Sequence, residues 1–119
     1  MEVGLLIRYG KLVPGREHHA VDLFQQTLSY FSEKRTREEI SFFEPFFFLT
    51  SDLDEELGFF VVKGSMLEMT AITNDEAFKV LMMKASTLAS HVQMDWLTVG
   101  QGIGEQVERS LKVYAELGV

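Results

Sequence analysis

The run Phe42-Phe43-Glu44-Pro45-Phe46-Phe47-Phe48-Leu49 constrains this chain more than any other stretch. Six of its eight residues are large and apolar, and it holds five of the ten phenylalanines. It is too short to span a membrane and reads as a β-strand. A strand sends successive side chains to opposite faces. Both faces of this strand are apolar, so one layer of helices cannot cover it. Pro45 adds a second constraint. Proline lacks a ladder donor, which assigns the strand to a sheet edge.

The remaining elements follow from periodicity. Val3 to Val13 begins as a strand, with Val3, Leu5, Ile7 and Tyr9 on one face, and Pro14-Gly15 stops it. A helix is predicted from Arg16 to about Glu33, with Val21, Phe24, Leu28 and Phe31 as its apolar stripe. Gln25, Gln26, Ser29 and Ser32 fall on its wet side. The phenylalanine strand covers Ile40 to Thr50. The acidic segment Ser51 to Glu56 has the length of a hairpin loop. A second apolar strand, Leu57 to about Met69, follows. Thr73 and Glu76 match a capping box and start a helix that runs to about Ser90. Val92 to Gly100, with the only tryptophan, Trp96, is the fourth strand. A last helix spans about Gly104 to Leu117, with Val107, Leu111 and Tyr114 on one stripe.

The order is β-α-β-β-α-β plus a C-terminal helix. It predicts an α+β, ferredoxin-like antiparallel sheet of spatial order 4-1-3-2, with helices on one face. That order also puts the phenylalanine strand at an edge. The 119 residues suffice for one domain, 1–119, with a substantial core.

Alternation then divides the faces. Phe43, Phe47 and Leu49 are expected under the helices, as are Tyr9 and Trp96. Leu6, Arg8, Phe42, Glu44, Phe46, Phe48, Phe59, Val61, Lys63, Ser65, Gln93, Asp95, Leu97 and Val99 are expected on the open side. Such a face is larger and more apolar than monomers usually expose. Burying each large apolar side chain is worth roughly 1.5–3 kcal/mol. The expected partner is a second copy through the sheet face, an isologous homodimer. A monomer whose C-terminal helix folds over the open face is the other solution.

Charge and composition exclude several classes. The net charge of −7 opposes nucleic-acid binding, which needs a basic face. Lys34, Arg35 and Arg37 are surrounded by Glu33, Glu38 and Glu39 and read as a solvated helix end. The chain has no cysteine, so disulfides, thiolate chemistry and thiolate zinc sites are excluded. It shows neither a signal peptide nor an apolar 18-residue run, and a cytoplasmic protein without membrane partners is expected. His18 and Asp22, four apart on a helix, provide two ligands at most, so no metal site is assigned. No cofactor is assigned either. Gly100, Gly102 and Gly104 do not form a dinucleotide fingerprint and read as turn and helix-start residues. His91 reads as a partner of the preceding helix dipole. The methionines read as adaptable core.

The pattern Val13-Pro14-Gly15-Arg16-Glu17 opening a helix, the Phe-rich hairpin and a strand ending in Gly100 resemble the dimeric α+β barrel proteins. These include antibiotic-biosynthesis-type monooxygenases and stress-responsive barrels. The resemblance implies a barrel formed by two subunits, with a pocket between sheet and helices or within the barrel. Haem-degrading members use an Asn on the first strand together with Trp and His. This first strand has no Asn and Trp96 lies on the fourth, so no catalytic residue carries over.

The open face carries one charged residue per strand, namely Arg8, Glu44, Lys63 and Asp95. They read either as ion pairs within or between subunits, or as the polar lining of a pocket in which Arg8 and Lys63 hold a small acidic or carbonyl ligand. Phe42, Phe46, Phe59 and Val61 would be its apolar walls. Three functions fit: a small-molecule-binding dimer, a cofactor-free monooxygenase acting on an aromatic or quinol-like compound, and a structural or regulatory interaction domain.

Overall fold

A computed structural model describes residues 2–49 and 56–118. The elements are β1 (Glu2–Tyr9), α1 (Glu17–Thr36), β2 (Phe42–Phe47), β3 (Gly58–Ser65), α2 (Met66–Thr73), α3 (Glu76–Leu88), β4 (Val92–Thr98) and α4 (Gln101–Leu117). The strands form one antiparallel sheet in the order β2-β3-β1-β4. This is the predicted order, and β2 with its Pro45 lies at the edge. Most of the predicted hairpin loop lies outside the described residues.

The core lies between the sheet and the helices. Val3, Leu5 and Ile7 of β1 and Phe60 and Val62 of β3 point into it, as alternation requires. Phe31 of α1 and Phe78 of α3 meet them, and both are completely buried. Aromatic rings tie the layers together. Phe31 stacks on Phe43 with centroids 4.8 Å apart, and Phe43 stacks on Phe60 at 5.8 Å. Tyr30 of α1 donates to Asp75, just before α3, at 2.6 Å. That hydrogen bond is the main cause holding the Asp75 carboxyl below its usual range.

Several sequence expectations need correction. The strand predicted to reach Met69 stops at Ser65, and α2 begins directly after it. The Ser65 hydroxyl accepts from the Glu68 backbone N–H, and the Glu68 carboxylate accepts from the Ser65 N–H. These two bonds satisfy donors that a helix start otherwise leaves unpaired, so the capping box is here. Thr73 ends α2, and its hydroxyl donates back to the Thr70 carbonyl. Asp75 is the residue before α3, which ends at Leu88.

The apolar stripe of α1 is rotated from the one predicted. Leu23, Thr27 and Phe31 are buried, whereas Val21 is exposed. Thr27 can be buried because its hydroxyl donates to the Leu23 carbonyl at 2.9 Å. Leu49, expected under the helices, is 96% exposed because it lies beyond the end of β2. Trp96 does face the helix side, opposite Leu5, but it stays 49% exposed. It lies on the edge strand β4, and Met94 beside it is also exposed.

The C-terminal helix α4 does not cover the open face of its own sheet. Of its residues only Gly102 is buried and only Ser110 is half-buried. Gly100 turns the chain into it at φ 57° and ψ −130°, a conformation that favours glycine.

Candidate functional site

The four predicted charged residues lie on the open face, as alternation placed them. Their cross-strand rows follow from the register. Glu44, Val61, Leu6 and Asp95 form one row, and Phe46, Phe59, Arg8 and Gln93 the next. Arg8 and Asp95 are diagonal neighbours, and an Arg8 guanidinium nitrogen donates to Asp95 at 2.6 Å. The Arg8 guanidinium also approaches Glu56 at 3.5 Å. Two carboxylates therefore neutralise Arg8 within its own chain. Lys63 sits 4.6 Å from the Phe42 ring centroid, a cation–π distance. Glu44 is exposed. Phe46 stacks on Phe59 at 5.0 Å, and Phe48 packs on Phe59 at 5.6 Å. Phe42, Phe46, Phe59 and Val61 thus lie together on the open sheet surface.

The apolar cavity lies on the opposite side of the sheet. It has a volume of about 200 Å³ and opens between β1, β3, α1 and α3. Ile7, Tyr9 and Phe60 form its floor. Phe24 and Thr27 of α1 wall one side, and Met82 and Ala85 of α3 the other. Val21, Phe47 and Leu57 also line it and are exposed to solvent. Four rings gather there. Tyr9 lies 5.5 Å from Phe60 and 6.3 Å from Phe47, and Phe24 lies 5.4 Å from Phe47 and 5.6 Å from Phe60.

Tyr9 is the one titratable group among the described residues that line this cavity. Its hydroxyl is buried and has no hydrogen-bond partner among the described residues. Burial pushes its pKa up to about 12, so the phenol is neutral at physiological pH. A buried hydroxyl without a partner costs roughly 1–3 kcal/mol. The other hydroxyl in the wall, that of Thr27, is already committed to Leu23. The cavity is therefore greasy and uncharged, and the one unpartnered hydroxyl in its wall, that of Tyr9, is closed off from solvent.

Alternation alone assigned Tyr9 to the core. One signal of a different role was available: a phenol placed among Val3, Leu5 and Ile7 on the buried face of a strand needs a polar partner. His18 and Asp22 do approach each other, at 3.8 Å, on the exposed surface of α1.

No family model and no curated protein sequence matches the chain. Among solved structures, it is similar to 5-chloro-2-hydroxyhydroquinone dehydrochlorinase (TftG) from Burkholderia phenoliruptrix AC1100, determined in complex with 2,5-dihydroxybenzoquinone. The identity is 21%, over 77% of this chain and 90% of that one, with a TM-score of 0.42.

Proposed function

We propose that this protein binds a small neutral aromatic molecule in the cavity between sheet and helices, and that it does so as a homodimer formed through the open sheet face. The observation that carries the binding reading is the apolar cavity, with the buried and unpartnered Tyr9 hydroxyl in its wall. Pockets for small molecules combine apolar walls with a few convergent polar groups. An apolar cavity of about 150 Å³ accommodates benzene. A cavity of about 200 Å³ therefore suits one ring with a small substituent. A ligand that displaces the Tyr9 ring slightly gains its hydroxyl as a donor, which favours a substituent that accepts a hydrogen bond, such as a carbonyl. The uncharged wall disfavours a carboxylate, whose desolvation nothing there would offset.

The homodimer reading rests on the open face. Phe46 and Phe48 are exposed there, and Leu6, Phe59 and Val61 are half-buried. The Arg8–Asp95 pair needs no partner charge from a second subunit.

Binding without turnover is favoured over a monooxygenase. A quinol must lose a proton to react with oxygen, and a neutral phenol with a raised pKa is a poor base. Thermal-shift titration with acetophenone, toluene and benzoate tests the binding reading. Acetophenone should raise Tm most, toluene less, and benzoate not at all. Oxygen uptake on a panel of quinols, expected to stay at background, tests the second point.

A further inference from the structure

All five charged residues of α4 fall within about 100° of its circumference at 3.6 residues per turn. They are Glu105, Glu108, Arg109, Lys112 and Glu116. The opposite arc carries Ile103, Val107, Leu111, Tyr114 and Leu117, with Val113 beside them. These six side chains are 45–69% exposed. An apolar arc this wide is normally the buried side of a helix. An isolated helix of this length has little stability of its own. The radius of gyration is 16.9 Å, with a longest extent of 55 Å. A compact chain of this length would have a radius near about 13.5 Å.

Two observations choose what covers α4. First, the same chain leaves a second face of matching length uncovered, on which Leu6, Phe59 and Val61 lie between Arg8 and Lys63. α4 is about 25 Å long, and the eight-residue strands β1 and β3 are about 26 Å long. A helix about 10 Å across covers two strands spaced about 4.8 Å apart. Second, the polar arc argues against a lipid surface. Helices that lie on anionic membranes have polar faces rich in Lys and Arg. Here three of the five charges are glutamates, and the whole chain carries −7.

We propose that α4 of each copy lies along the open sheet face of a second copy, over Leu6, Phe59 and Val61. The proposal rests on the homodimer reading and names what occupies the sheet face. Reciprocity makes the contact isologous, so both copies bury both faces. At roughly 60 Å² per side chain, six on each stripe and three on each sheet bury about 1,100 Å² in the dimer, above the roughly 1,000 Å² that a specific interface must clear.

The absence of cysteine makes the test clean. Leu111→Cys and Val61→Cys are prepared as separate full-length proteins, one of them tagged, then mixed and oxidised. A disulfide joining the two variants is the expected main product. Glu108→Cys, on the charged arc, should not join Val61→Cys. If two Val61→Cys chains join each other and the mixed product is missing, the sheets stack directly. The α4 proposal is then overturned while the dimer stands.

Sedimentation supplies a second readout. The full chain should be a dimer, and Leu111→Glu combined with Tyr114→Glu should weaken it at least tenfold. Circular dichroism checks that the fold persists. An unchanged dimer affinity overturns the α4 proposal alone. A full chain that is monomeric at every concentration overturns the homodimer reading and α4 docking together.

Discussion

Tyr9 and Gly58 face each other across the β1–β3 ladder, and the glycine leaves room for the phenol. A Cβ at Gly58 would lie 2.7 Å from the Tyr9 hydroxyl and 2.3 Å from the Phe46 carbonyl oxygen. Gly58→Ala must therefore shift β2 or displace the Tyr9 ring. We expect a loss of roughly 1–3 kcal/mol, in the range of overpacked cores, together with loss of ligand-induced stabilisation. Urea unfolding with and without acetophenone measures both effects.

The Tyr9 hydroxyl makes stability fall at alkaline pH. Its folded pKa of about 12 lies above its ordinary value of 10.0. The unfolded state therefore loses this proton first. Its contribution is complete below pH 10 and is lost as pH rises from 10 towards 12. Tyr30 acts in the same direction, raised by burial and then by its hydrogen bond to Asp75. Tyr9→Phe should flatten the decline between pH 10 and 12 without abolishing it. At pH 7 the same variant removes an unpaired buried hydroxyl and should be more stable than wild type, by roughly 1–3 kcal/mol. Unfolding midpoints measured across pH 7–12 check the curve and the pH 7 value.

Ser65→Ala breaks the capping box that starts α2, and a cost of about 1 kcal/mol is expected. The loss should be concentrated in α2, seen as faster amide exchange from Glu68 to Met69.

Phe31→Ala removes the ring that packs against Tyr30, Phe43 and Phe78. It is completely buried, so roughly 3–5 kcal/mol should be lost. Phe46→Ala, on the open face, should cost far less in a monomer. Comparing the two by thermal melting separates the core from the candidate interface.

Much of the fold was legible in the sequence. Pro45 identified an edge strand, and alternation assigned Leu6, Arg8, Phe59, Val61 and Asp95 to the open face. The errors have physical causes. Met66, Leu67 and Met69 read as strand because they are apolar, yet the same Ser-x-x-Glu logic applied at Thr73 was available at Ser65. Trp96 faces the helix side yet stays half exposed, because alternation gives a face but not its coverage. The cavity has no sequence signature, because it is a gap left by the spacing of α1 and α3 above the sheet. Tyr9, a phenol on an apolar face, is the one residue whose chemistry hints at it, and alternation alone assigns it to the core.

In the proposed function, the Tyr9 hydroxyl selects a neutral aromatic acceptor. Calorimetric titration of wild type and Tyr9→Phe with acetophenone and toluene tests it most directly. A hydrogen bond worth roughly 0.5–1.5 kcal/mol predicts that acetophenone binding falls about two- to tenfold in Tyr9→Phe, while toluene binding is unchanged. Equal affinities of both proteins for acetophenone would rule out a role for the Tyr9 hydroxyl, and no binding of either compound to the wild type would rule out the cavity as a binding site.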